Sequence, residues 1–382
     1  MSIVTEIERI KTNISNAYTK CEEKGATMPD VRNSANLVDC IASITGGGTV
    51  EKQFIYQGTA TALSKARQNL TAVNAGDSLL FAGGNDGSTN YNVVDTYSPS
   101  LVKGTATTLS STKTWLNSTN INGTALIGGG SNGGGQLDSV DSYNSQLVKT
   151  TVTALSVKRD CLAAITNGNY AMFAGGKQAY PNVYATVDTY TTDLVKGTTT
   201  GLSAARAYPA PSKVNGYVLF AGGYDGTNFY ATVDTYTTEL VKGTATDLSV
   251  SRAALSGSMT DGYALFAGGD RKNGSTQVCV DTVDAYNSKL VRSTPTTLDE
   301  RKFHMTGISA GGYAMFIGGN IDKSVGWSDL VEKYNSNLTK SISKIYNARE
   351  RLASGLTGEN LLIGGGAKND ARTNVVEVLQ LI

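Results

Sequence analysis

The side chains of this chain that could do chemistry are few, and their types narrow the chemistry. His304 is the one histidine among 382 residues. A lone His is more often packed or solvated than catalytic. Cys21, Cys40, Cys161 and Cys279 show no Cys-x-x-Cys spacing, so neither a metal centre nor a disulfide framework is expected. Cys21 and Cys40 could face each other between two N-terminal helices, the one cysteine pair worth naming. No Gly-x-Ser-x-Gly, His-Glu-x-x-His or phosphate-binding glycine loop occurs. Acid and base work by two carboxylates stays open, because Asp and Glu from separate repeats can converge, as glycoside or lyase chemistry needs. The expectation is a protein that is not an enzyme and carries no cofactor or metal.

Binding chemistry is better represented. Aromatic rings stand beside short polar groups in three stretches: Asn85, Asp86 and Tyr91; Tyr180 and Tyr184; Tyr224, Asp225, Phe229 and Tyr230. Arg271 and Trp327 sit in two later stretches of the same kind. Flat rings lie against apolar ring faces of a ligand, and short polar groups bond its hydroxyls. That composition suits a glycan or a protein surface.

These stretches are positioned by a repeat. Apolar runs end in glycine pairs at Gly83-Gly84, Gly128-Gly129, Gly175-Gly176, Gly222-Gly223, Gly268-Gly269, Gly318-Gly319 and Gly364-Gly365. Each repeat opens on a basic residue (Arg67, Lys113, Arg159, Arg206, Arg252, Arg301, Arg349), and its third strand carries an acid (Asp95, Asp141, Asp188, Asp234, Asp284, Glu332, Glu377). One basic residue per repeat reads as structural pairing with these acids rather than as a polyanion site. Strand patterns at a period of roughly 45 residues, without helix patterns, predict a seven-bladed all-β propeller of four-stranded blades. The last repeat lacks its fourth strand, and Gly58–Ser64 matches the missing piece, so the first strand is expected to complete the last blade. The bends between first and second strands are near-constant, and so are those between third and fourth. The aromatic stretches all fall between second and third strands, which gathers them on one face of the disc, where repeat scaffolds bind. Trp115, Tyr208, Phe303 and His304 follow the opening basic residues on that face, placed either to rim the central channel or to pack between blades. Lys103, Lys149, Lys196, Lys242, Arg292 and Lys340 recur near the outer strands, where charge discourages edge-to-edge pairing.

The apolar run into Gly-Gly, the Asp/Glu-x-Tyr strand and the opening Arg resemble kelch-type β-propellers over residues 51–382. The outer strand departs from that family, with Leu-Val where a Trp is usual, as at Leu101-Val102 and Leu240-Val241. Copper oxidases of this kind need two His, a Tyr and a Tyr–Cys pair, and this chain has one His.

Residues 1–45 read differently. Ile3, Ile7, Ile10, Ile14, Ala17 and Cys21 follow a 3.5-residue spacing, the seam of a coiled coil, and Ile at both core positions favours trimers or tetramers over dimers. A short amphipathic helix packed on its own neighbour fits the same pattern. Gly25 is placed to end this helix, and Asn33 or Ser34 to cap a second one bearing Leu37, Cys40, Ile41 and Ile44. Gly46-Gly47-Gly48 makes 46–50 a hinge. The Lys-Gly-Ala-Thr-Met-Pro turn, followed by Asn-Ser-x-Asn-Leu, resembles N-terminal segments of tail-associated proteins of phages and prophages of Gram-positive bacteria.

Net charge is +1, so no nucleic-acid or membrane partner is expected from charge, and no signal peptide or membrane-spanning run is read. The resemblances imply a phage-tail or tail-like-particle receptor-binding protein, synthesised in the bacterial cytoplasm. Its head (1–45) would form a homotrimer and dock on other tail or baseplate proteins. Its propeller would bind a bacterial surface glycan or surface-layer protein. A carbohydrate-active enzyme using the same face, or a non-catalytic structural adaptor, is the alternative.

Overall fold

The computed structural model describes residues 3–24, 26, 28–33, 36–37, 40, 53–274, 276–321 and 326–382. The chain divides into two compact units, Met1–Gln53 and Phe54–Ile382.

The larger unit holds seven four-stranded antiparallel sheets among its described residues. It is a seven-bladed β-propeller. The first blade runs from the axis outward as β2 (Thr71–Ala75), β3 (Ser78–Ala82), β4 (Val94–Tyr97) and β5 (Lys103–Thr105), and β1 (Phe54–Ala60) lies elsewhere in the ring. Position in the blade explains composition. The innermost strands crowd one another, so they carry small residues. A Cβ on Gly257 would lie 1.9 Å from the Pro211 carbonyl oxygen, and one on Gly307 would lie 2.2 Å from the Gly257 oxygen. The second and third strands are covered on both faces by neighbouring blades. Leu79 to Ala82 and Val94 to Tyr97 are buried throughout, so neither strand alternates. Outside the last blade the outer strands, such as Lys-Gly-Thr in β5, are short and polar, which blunts an open edge.

Closure follows the expected plan. β1 pairs antiparallel with Val376–Leu381 of the last blade, from Phe54↔Leu381 to Ala60↔Val376, with a register shift between Tyr56 and Gly58.

The blades are stapled by the repeated residues. The second glycine of each pair donates its N–H to the carbonyl of the next blade's basic residue, from Gly84 to Lys113 (2.7 Å) round to Gly366 and Arg67 (2.8 Å). At the first glycine a Cβ would meet that same carbonyl, 2.7 Å away for Gly83. This corrects the sequence reading in two blades. The bonded left-handed pairs are Gly129-Gly130 and Gly365-Gly366, not Gly128-Gly129 and Gly364-Gly365. Gly128 and Gly364 end their strands where four other blades have Ala and one has Ile317, and their bare Cα atoms admit the rings of Phe173 and Phe81.

The basic and acidic sets meet as buried pairs. Arg67–Asp95 is 2.9 Å, Lys113–Asp141 3.1 Å, Arg159–Asp188 2.7 Å, Arg206–Asp234 2.7 Å and Arg252–Asp284 2.9 Å, and Arg349 pairs with Glu377. In the sixth blade the buried partner of Glu332 is Lys302, at 2.7 Å. Arg301, expected there, is exposed and lies 3.8 Å from Asp281. Of two adjacent basic residues, only the one in register with the ladder turns inward. The outer cations also do more than guard an edge. Lys103, Lys149, Lys196 and Lys242 reach back to the same carboxylates at 3.1, 3.1, 3.0 and 3.2 Å. Each third-strand Tyr then donates its hydroxyl to a carbonyl of the preceding outer segment, as Tyr97 does to Thr61 (2.6 Å) and Tyr236 to Thr200 (2.8 Å).

In the smaller unit, α1 spans Ile3–Glu23. Its C-terminal half packs on its own chain: Tyr18, Cys21 and Cys40 are buried together, with Ile14, Met28 and Leu37 against them. Tyr18 donates to the Asn33 carbonyl at 2.8 Å, and burial pushes its phenol pKa up. Asn33 Oδ1 accepts the Asn36 amide at 2.9 Å, the expected cap. Cys21 and Cys40 are not joined as a disulfide. Ile7 and Ile10 are 46% and 48% exposed. The side chain of Ile3, the helix stop at Gly25, and Ser34, Ile41, Ile44 and hinge 46–50 lie outside the described residues. No described helix is long and apolar enough to cross a membrane.

Candidate functional site

The connections from second to third strands, and the entries into each innermost strand, share one face of the propeller. Three of these connections fold into small hairpins: Lys177–Ala179 with Asn182–Val183, Asp270–Asn273 with Thr276–Cys279, and Ala367–Lys368 with Ala371–Arg372. Four others are closed by single bridges, Asn85↔Asn90, Ser131↔Gln136, Tyr224↔Phe229 and Asn320↔Trp327. Neighbouring connections touch. A Cβ on Gly226 would stand 2.8 Å from Cδ1 of Tyr180, so glycine there lets the ring lie on the next loop.

At the centre of this face the chain makes the same sharp turn seven times. Asn69, Trp115, Cys161, Tyr208, Ala254, His304 and Arg351 each follow the buried basic residue by two, with left-handed φ of 50–58°. Residues other than Gly, Asn and Asp rarely hold that conformation, and it clusters at functional sites. Backbone bonds from one turn to the next hold it here: Asn69 N–H donates to Arg351, Trp115 to Asn69, Cys161 to Trp115, Tyr208 to Cys161, and Arg351 to His304, at 2.8–3.3 Å. The seven side chains line a cavity of about 410 Å³ at the axial mouth. Seven equivalent positions carry seven different residues, so a symmetric frame presents an asymmetric surface.

Trp115 spans this mouth. Its ring lies 6.1 Å from Tyr208 and 5.9 Å from His304, and the Arg351 guanidinium sits 5.4 Å from its centroid. Glu350 anchors one side. It accepts from Asn320 Nδ2 (3.2 Å) and Trp327 Nε1 (3.4 Å), and lies 3.2 Å from His304 Nδ1 and 3.4 Å from Arg351 Nε. Burial pushes the Glu350 carboxyl up, but the His304 hydrogen bond and the Arg351 charge outweigh it and bring the pKa down to about 2. A depressed carboxylate pKa stabilises the fold above the ordinary pKa, and that contribution is lost as pH falls through the folded value. The stability advantage of wild type over Glu350→Gln is therefore full above the ordinary value of 4.5 and shrinks as pH drops toward about 2. Thermal unfolding midpoints of the two proteins across that range check this, and a constant gap refutes it.

Beside the mouth lies a second cavity of about 250 Å³, walled by Tyr180, Tyr224, Phe229 and Phe303 and lined as well by Asp270, Lys272 and Gln277. Tyr208, Ala254 and His304 line both cavities. Tyr180 and Tyr224 meet edge to face at 5.3 Å, Tyr224 and Phe229 stack tilted at 4.6 Å, and Lys177 Nζ sits 5.5 Å from the Tyr180 centroid. Tyr180 is 42% exposed. Gln277 hydrogen-bonds Asp270 across the hairpin.

The structure thus draws three of the residues singled out in the sequence, Tyr180, Tyr224 and Phe229, into one wall. The others are engaged elsewhere, most of them within their own loops. Asp86 accepts from the Thr89 and Ser88 amides and from Tyr91 Oη (2.5 Å); the Tyr91 bond, with the two amides, holds its carboxyl well below the usual range. Asp225 does the same in its loop. Burial raises it, but the Asn228 and Thr227 amides and Tyr230 Oη (2.7 Å) hold it low. Asn85 is buried and bonds Gln68, Gly87 and Thr114. Tyr184 reaches Gln178 at 3.3 Å, and Trp327 holds Glu350. Arg271 lines neither cavity. On a β-hairpin, residues 270 and 272 share one face and 271 takes the other, so Asp270 and Lys272 reach the site in its place.

The fold is similar to the solved structure of YjhT, with a TM-score of 0.61 and 10% sequence identity, covering 75% of this chain and 99% of that one. No family model and no curated protein matches the chain.

Proposed function

We propose that the propeller is a non-catalytic, kelch-type receptor-binding domain that holds a bacterial surface glycan in the aromatic-walled cavity. The observation that carries this is the Tyr180–Tyr224–Phe229 wall in one cavity with Asp270, Lys272 and Gln277. Sugar rings present flat C–H faces and a rim of hydroxyls, and an aromatic wall beside mixed donors and acceptors complements both. Tyr224→Ala removes the central ring of the stack and is expected to lower glycan affinity by at least about tenfold, the equivalent of roughly 1.4 kcal/mol. Binding of whole bacterial cells and of their purified surface polysaccharide by wild type and variant tests this. Undiminished binding by Tyr224→Ala would sink the assignment. Loss of binding only on protease-treated cells, with polysaccharide ignored, would move the ligand to a surface-layer protein.

The second element is attachment. In this reading residues 1–45 join copies, as a homotrimer, on a phage tail or phage-tail-like particle, and several weak glycan sites act together by avidity. The resemblance of the head and the Ile spacing support it, as do Ile7 and Ile10, each about half exposed on α1. Ile7→Glu with Ile10→Glu is expected to turn a trimer into a monomer by sedimentation while leaving the propeller folded; a wild-type monomer refutes self-association. Between binding and carbohydrate cleavage, binding is favoured, because the two cavity linings hold one carboxylate, Asp270, where cleavage by acid and base uses a pair.

A further inference from the structure

We infer that the two cavities are consecutive subsites for the free end of an oligosaccharide, with the terminal ring in the axial mouth and the next ring in the aromatic side chamber. This deepens the glycan reading above and rests on it. Size is the first argument. Pockets that take small molecules usually measure about 300–1,000 Å³. The side chamber, at about 250 Å³, falls short of that range alone, and the mouth, at about 410 Å³, lies inside it. The chambers share Tyr208, Ala254 and His304 in their linings, which sets them side by side, within reach of one ligand with two linked units.

The chemistry of the mouth suits a polyol. Below the ring of turns the cavity is lined by hydroxyls of the innermost strands: Thr71, Ser118, Ser256, Thr306 and Ser354. Thr71 and Ser118 bond each other at 2.5 Å, and Thr306 and Ser354 at 3.0 Å. A hydroxyl offers one donor and two acceptor lone pairs, so each retains capacity toward a ligand hydroxyl after bonding its neighbour. Trp115 adds the aromatic face, fixed by Tyr208, His304 and Arg351 from three other blades. A rigid, pre-placed ring loses little freedom on binding.

The same geometry selects chain ends. The mouth is walled by all seven blades, and Trp115 lies across it. In this order a glycan that enters through the side chamber meets the wall of the opposite blades. An internal segment of a long chain would have to turn there and leave along the axis, toward solvent.

The test uses the full chain and soluble saccharides in calorimetry, after a glycan array has found a sequence that binds. Each hit is measured as mono- and disaccharide, and again with its free end capped by one further sugar. The expected result is tighter binding of the disaccharide than of the monosaccharide, and a loss of at least about tenfold on capping. Trp115→Leu keeps an apolar side chain and is expected to bring the disaccharide down to the affinity of the monosaccharide. Thr306→Val, a smaller change in the same cavity, is expected to weaken the disaccharide alone, which guards against a misfolded Trp115 variant. Equal binding of capped and free chains, or a disaccharide affinity indifferent to both variants, overturns the subsite order while Tyr224→Ala still weakens binding. An array on which no glycan binds overturns the glycan reading and this inference together.

Discussion

A chain that begins at Lys65 is expected to lose cooperative unfolding, whereas one that begins at Gln53 keeps it. The two differ by β1 and the segment that follows it. β1 supplies the outer strand of the last blade and its pairing with Val376–Leu381. Phe54 is buried against Tyr313, Met315 and Leu361, and Leu63 against Leu70 and Val376. Removing one buried Phe and one buried Leu alone costs about 2–5 kcal/mol each. Ser64 also donates its amide to Asp95, at 3.1 and 3.2 Å, across the junction between last and first blades. The sum is comparable to the roughly 5–15 kcal/mol that keeps a domain folded. It also leaves a third-strand edge unpaired, which invites aggregation. Urea unfolding followed by near-ultraviolet circular dichroism separates the outcomes. A Lys65 chain with the midpoint of the Gln53 chain would show that closure comes from blade packing alone.

The second large effect is expected at the buried ladder. Asp234→Ala leaves Arg206 fully buried without its 2.7 Å partner, and Ser203 without its acceptor. Breaking one side of a buried pair costs about 3–5 kcal/mol, because the remaining charge stays desolvated. Arg206 keeps bonds to the Phe220 and Ala204 carbonyls, at 3.2 and 3.1 Å, which soften the loss without neutralising it. Ser203→Ala removes the hydroxyl's bonds to Asp234 and from Lys242 but leaves Arg206 paired, and should cost less, roughly 1.5–3 kcal/mol. The order of the two urea midpoints is the readout. If Asp234→Ala proves no worse than Ser203→Ala, the ladder holds register but contributes little stability. The Asp234 carboxyl is held below its ordinary pKa: burial raises it, and Ser203 and Arg206 outweigh burial. Its contribution is therefore present above the carboxylate range and fades as acid protonates it.

The repeat was legible because its cause is local and recurs seven times. A carbonyl of the next blade approaches each first glycine, so the sequence carries Gly there in every copy. The acid, the Tyr and the opening cation recur because they staple one blade to the next. Even so, spacing alone misplaced three positions. Where a third Gly, at 128 or 364, adjoins the pair, composition cannot say which two turn left-handed. Where Arg301 and Lys302 adjoin, it cannot say which one faces Glu332. Register in a strand is a matter of one residue, and one residue changes the face.

The candidate site was legible only in part. The aromatic stretches were visible, and so was the face they share, since both follow from strand order. Which aromatics meet was not, because Tyr180, Tyr224 and Phe303 come from different blades, and their distances depend on how the ring closes. Tyr91 and Tyr230 share the composition of Tyr224 yet bond their own loop carboxylates. The sequence by itself determined the blade, its count and its closure, all consequences of contacts that every repeat makes. Only the tertiary structure decided the site, because the mouth and its side chamber are built from positions where the repeats differ, and where distant blades converge on one axis.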